Sequence, residues 1–218
     1  MSYELIVLLA ESFLETVHMV AVSAFIAAVA GIPLGVILVT TGKGHIMENK
    51  KLNIILGSIV NATRSTPFII LMVAIIPLTR LIVGTSIGTN AAIVPLSIAA
   101  VPFLGRIVES AIREVDYGVI EAAQAMGASP VQIIYKVLIP EALSSIVLGI
   151  TITLVSLIGF SAMAGAIGGG GLGDLAIRYG YQRFRPDVML ATVIILIVTV
   201  QFVQSCGDYL ARRLSKRY

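Results

Sequence analysis

The sequence predicts an all-α integral membrane protein of five transmembrane helices with a two-helix elbow outside the bilayer, and three observations carry that prediction. Of 218 residues, 57% are hydrophobic and 12% charged, with a mean hydropathy of +0.99, whereas soluble domains carry about 25% charged residues. Stretches free of formal charge recur along the chain, long enough to cross a hydrocarbon core of about 30 Å. Lys and Arg collect in alternate intervals between those stretches, the pattern by which loops are sorted to the two sides of a membrane.

The first crossing is expected at about 13–41, because 27 residues without a formal charge separate Glu15 from Lys43. The second runs from about 52 to 77 and carries Arg64 inside it; the third, 87–108, has Arg106 near its end. The fourth is expected at 142–163. The fifth, 187–208, encloses the 20 uncharged residues between Asp187 and Asp208. One transmembrane domain, 1–218, accounts for the whole chain. Gly31 and Gly35 make a G-x-x-x-G pair in the first crossing, read as a close helix contact rather than a dedicated dimer motif, with Pro33 between them as a source of bending.

Orientation follows from the basic residues. Lys43, Lys50, Lys51, Arg113, Lys136, Arg212, Arg213, Lys216 and Arg217 share one face, against Arg80, Arg178, Arg183 and Arg185 on the other. Nine against four assigns the first face to the cytoplasm. The N-terminus, with Glu4, Glu11 and Glu15 and no Lys or Arg before Lys43, is then extracytoplasmic, and the C-terminus cytoplasmic. The first crossing lacks the basic leader of a cleaved signal peptide and is expected to stay in the protein.

This places 109–140 in the cytoplasm. Asp116 is an N-cap for a helix through "YGVIEAAQAM", Glu121 lies near its positive end, and Gly127 suits the left-handed residue that closes it. Ser129 and Pro130 begin a second helix as N-cap and first residue, running to Pro140. Ala122, Ala123 and Ala125 keep the first helix thin, so that another protein's surface could approach its backbone.

The stretch "EAAQAMGASPVQIIYKVLIP", residues 121–140, resembles the EAA signature of the permease subunits of ABC importers: EAA, three residues, Gly, nine residues, then I-x-L-P. Val137 and Ile139 are the only departures, both apolar exchanges. The segments 64–96 and 151–181, with the chain length and the five-span plan, are similar to the methionine importer permeases. The resemblance implies the type I ABC importer permease fold in the cell inner membrane. It implies a homodimer with two copies of a separate ATPase, an extracytoplasmic binding protein or lipoprotein that delivers D- or L-methionine or a related thioether, and no catalytic site in this chain. Glu121, Ala122, Ala123, Gly127, Ser129 and Pro140 would form the coupling helix that inserts into the ATPase. Met163, with Phe160 and Ser161 beside it, would lie on the translocation path, where an apolar thioether can close a narrow bore.

Other motifs point nowhere. Gly168, Gly170 and Gly173 match G-x-G-x-x-G, but that fingerprint needs a preceding strand, and four successive glycines are better read as a bend or a close helix contact. "ILVTTGKGH" has Ile37 and Gly44 where a phosphate loop needs Gly and Ser or Thr. One cysteine, Cys206, and two distant histidines, His18 and His45, offer no disulfide or metal ligand set, and His18 is read as interfacial. No cofactor or nucleic-acid partner is expected; lipid is. Arg64 is costly inside a crossing unless paired or hydrated, and is read as a structural ion pair with Glu109 ahead of a pathway residue. Arg106 and Glu109, three apart, should share a helix face. The rivals to an importer are a permease for another small amino acid, an ion-coupled carrier and a membrane enzyme. A carrier needs intramembrane acidic or His residues and commonly repeats, and an enzyme needs a reactive constellation; neither is evident.

Overall fold

The computed structural model describes residues 3–215, so Lys216 and Arg217, counted above for orientation, lie outside the described residues. Among these the chain is helical throughout, without a strand. Helix α1 spans Tyr3–Thr40 and at 38 residues extends about 57 Å. A turn through 41–49 leads to α2, Lys50–Ser65, capped by Asn49, whose side chain accepts the Leu52 N–H. Short helices α3, Phe68–Ala74, and α4, Ile76–Val83, precede the central α5, Thr89–Arg113. The elbow comprises α6, Tyr117–Ala125, and α7, Pro130–Ile133, which passes through a π-helical segment into α8, Ile139–Ala166. A five-residue α9, Gly171–Leu175, a second π segment and α10, Pro186–Ser215, complete the chain.

Among the described residues four helices are long and apolar enough to cross a bilayer, and α2 with α3 makes a fifth if the pair counts as one crossing. That pair occupies the stretch expected for the second span, but as a bent pair rather than one straight helix. The chain bends by 106° between α2 and α3, because Thr66, forced out of the helical region by the following proline, takes ψ 125°. Pro67 offers no N–H to continue the ladder.

Helix α5 holds the centre, with α1, α2 and α8 around it, and α10 lies outside α8. Gly31 and Gly35 set the closeness of α1 to α5: a Cβ on Gly35 would stand 2.6 Å from the Gly105 carbonyl and 2.7 Å from Val108. The G-x-x-x-G pair therefore packs within the chain. Several hydroxyls in these helices bond their own backbone, as Thr40, Thr151, Thr153 and Thr192 do to carbonyls one turn back, which satisfies them without water. Leu190, Ile194, Ile197, Val198 and Phe202 of α10 are exposed apolar side chains, as a lipid-facing surface requires.

The glycine run is both a bend and a close contact. Gly168, Gly170 and Gly171 have φ between 76° and 93°, turning the chain so that α9 lies against the end of α8. Helix α1 secures this turn: the Glu15 carboxylate accepts the Gly171 N–H at 2.7 Å, and the Thr16 hydroxyl accepts the Leu172 N–H at 2.9 Å.

Candidate functional site

The elbow is built from local rules. Asp116 Oδ1 accepts the Gly118 N–H at 2.6 Å and starts α6. The helix ends in a Schellman arrangement: the Gly127 N–H reaches the Gln124 carbonyl at 2.9 Å, and the Ala128 N–H reaches Ala123 at 3.1 Å. Gly127 has φ +79°. Ser129 then caps α7 by accepting the Gln132 N–H at 3.4 Å, while Gln132 accepts the Ser129 N–H at 2.9 Å. This reciprocal capping box is legible as Ser129-x-x-Gln132, a spacing the sequence reading passed over.

Two elbow expectations are corrected. The second helix does not end at Pro140; residues Pro130–Ala166 form one continuous helix. Pro140 would clash with a carbonyl four residues back in a regular α-helix, and the π segment Ile134–Leu138, in which the Ile139 N–H bonds Ile134, makes room for it. Nor do all three alanines face outward. Ala123 is buried, with Ile120, Ile133 and Leu138, and holds the elbow to the bundle. Glu121, Ala122, Ala125, Gly127, Ser129 and Pro140 are exposed.

The outer face of the elbow also exposes large apolar side chains: Tyr117, Val119, Met126, Val131 and Tyr135, with Met126 at 82%. An apolar patch on a polar elbow marks an interaction surface. The Tyr117 hydroxyl donates to the Gly44 carbonyl at 3.3 Å, tying α6 to the 41–49 turn. In that turn His45 has its Nδ1 buried with no partner among the described residues. Burial first, and then the Arg113 guanidinium, hold its pKa below the usual value.

Of the residues expected on a path, Met163 is exposed near the end of α8, and Phe160 lies one turn before it on the same side. The Phe160 ring stacks on Phe68 at 4.6 Å between centroids, an aromatic contact that fixes the start of α3 against α8. Ser161 is 2% exposed and donates to the Ile158 carbonyl at 2.8 Å, so it does not join the surface Met163 presents.

Arg64 does not pair with Glu109. The two Glu109 oxygens are taken by Arg106 at 2.6 Å and Arg113 at 2.9 Å, neighbours on the same helix face. Arg64 stands exposed on α2, outside the ion pairs found among the described residues. Arg106 and Glu109 do share a face, as expected. His18 is exposed, 3.3 Å from the Asn90 amide oxygen. The glycine fingerprint follows a helix rather than a strand.

A bundle of long apolar helices carrying a capped elbow with an exposed apolar face is the architecture of a membrane component with a surface outside its long helices. The chain belongs to the family described as binding-protein-dependent transport system inner membrane component, whose sequence model matches residues 31–217. It is 59% identical over 203 residues to a probable D-methionine transport system permease protein of Vibrio cholerae, covering 93% of this chain and 90% of that one. It is 45% identical to a methionine import system permease protein of Bacillus subtilis, over 83% and 82%. A crystal form of the MetNI methionine ABC transporter in inward-facing conformations superimposes with a TM-score of 0.96 at 48% identity, covering 98% of this chain and 99% of its counterpart. An amino acid ABC transporter chain at 20% identity and TM-score 0.78 shares the fold.

Proposed function

We propose that this chain is the membrane-spanning permease subunit of an ATP-driven importer that moves methionine, D- and L-, into the cytoplasm. Two copies work with two copies of a separate ATPase, which hydrolyses the ATP, and with an extracytoplasmic binding protein that delivers the substrate. The five crossings of its single domain, 1–218, run through α1, the bent α2–α3 pair, α5, α8 and α10, with the N-terminus outside, 109–140 and the C-terminus in the cytoplasm.

One observation carries the reading: the EAA-x3-Gly signature lies on a short helix closed at both ends by local caps, held by Ile120 and Ala123, with Met126 and Tyr135 exposed beside it. Such a helix is rigid enough to pass a displacement from a bound ATPase into α8. Glu121, Ala122, Gly127 and Ser129 form the contact, Ala123 anchors it, and Pro140 lies in the connection. Met163 and Phe160 close the path at the other end of α8, with Ser161 behind them. Against an ion-coupled carrier, the buried acidic side chains found among the described residues, Glu109 and Asp174, are both bound to arginines.

Methionine uptake into vesicles holding this chain, its ATPase and its binding protein tests the reading. Uptake should require ATP and persist when ion gradients are collapsed. Uptake that follows an ion gradient without ATP would establish the carrier instead. Competition by other small amino acids and thioethers distinguishes methionine from related substrates.

A further inference from the structure

Helix α2 divides two grooves of opposite chemistry. On one side lies a groove of about 350 Å³ against α1 and α5, lined by apolar side chains including Ile26, Leu34, Leu56 and Ile59. On the other lies a groove of about 540 Å³ between α2 and α5, lined by Ser58, Asn61, Arg106, Glu109, Ser110 and Arg113. Hydrocarbon tolerates the first and not the second. Helix α2 thus separates an apolar groove that hydrocarbon can fill from a polar one that calls for water or a solute.

The polar groove has a defined charge. Glu109 is buried and shared by two arginines, so the triad carries one net positive charge. Arg106 and Arg113 remain 36% and 49% exposed in their side chains and keep N–H donors that Glu109 does not use. Asn61 and Ser58 add neutral hydrogen-bonding groups. The polar line continues along α2 through Asn53, Asn61 and Arg64, with the side-chain-free Gly57 between the first two, over about 16 Å. It runs from the bend at Pro67 toward the end of the helix that carries Lys50 and Lys51.

We infer that this groove is a transit site for the α-carboxylate of the transported amino acid, with Arg106 and Arg113 supplying charge and Asn61 and Ser58 the neutral bonds. The inference rests on the importer reading and names where that substrate is held at the cytoplasmic end of the permease. Glu109 tempers the site. A pathway must bind well enough to admit a solute and weakly enough to release it, and a carboxylate already seated between the two arginines keeps their pull to a single charge.

The test uses the permease–ATPase complex in liposomes, with Cys206→Ser as parent, since that thiol is exposed, and Ser58→Cys as probe. An anionic methanethiosulfonate should modify Ser58→Cys at least about tenfold faster than a cationic one. Millimolar L-methionine should slow that reaction. Arg106→Gln should shrink the charge ratio and shift protection to higher methionine, while Glu109→Gln should shift it to lower methionine and reduce uptake, an opposite sign that loss of structure would not give. The inference falls if neither reagent reaches the cysteine, if methionine gives no protection, if protection follows anionic lipid content instead, or if Ser58→Cys cross-links to a second copy. ATP-dependent uptake by the parent in the same vesicles reads the importer separately: uptake without protection sinks the groove alone.

Discussion

Gly127 is fixed by its own backbone and not by its surroundings: φ is +79°, and nothing lies within 4 Å of where a Cβ would stand. Gly127→Leu therefore strains the elbow by roughly 1–2 kcal/mol without disturbing the bundle. Uptake should fall sharply while the helices still insert, and unchanged uptake would sink the elbow's role. Met163 is half exposed, so Met163→Ala opens no internal cavity. It should raise the leak of small solutes with ATPase assembly intact; aggregation or loss of assembly without leak would make it a packing residue. His45 gives a pH prediction. Its folded pKa lies below the unfolded value of about 6.5, so the unfolded turn binds more protons. Its contribution is complete above that value and declines as pH falls. Proteolysis within 41–49 should quicken on acidification, and His45→Gln should remove the dependence. At this scale the sequence was readable where the rule is local, as at Asp116, Gly127 and Ser129. It misled at Arg64, because Glu109 finds arginines one turn away on its own helix before any on another.

Among the elements, the charge-free stretches located α1, α5, α8 and α10, since nothing but an apolar run can sit in lipid. The bend between α2 and α3 was not read, although Thr66-Pro67 stood in plain sight: composition sees hydropathy and is blind to a proline's missing N–H. The π segment before α8 was equally hidden, because a proline reads as a helix end and only the bundle shows that the helix continues. Pro140→Ala should let the segment relax to a regular α-helix. Losing the extra residue per turn rotates α7 by about 100° relative to α8, so the variant should hold or gain thermal stability and lose coupled uptake. Equal uptake would show that the segment merely accommodates the ring.

For the whole molecule, orientation is checked by single cysteines in a Cys206→Ser background at exposed sites. Lys43→Cys and Ser129→Cys should react only with reagents that reach the cytoplasm, and Tyr181→Cys from outside; labelling of Ser129→Cys from outside would invert the arrangement. The position of the polar groove was beyond the sequence, since it requires α2 and α5 to be neighbours. The ties from Glu15 and Thr16 to the glycine turn carry a further meaning, measured in time. Each joins residues 156 apart in the chain. At about 5–20 residues per second of synthesis, the first helix waits roughly 8–30 s for the backbone amides its carboxylate and hydroxyl will hold. During that interval the face of α1 that carries Glu15 and Thr16 lacks these two partners. The turn that completes it can close only after Leu172 has been made, with α10 still to follow.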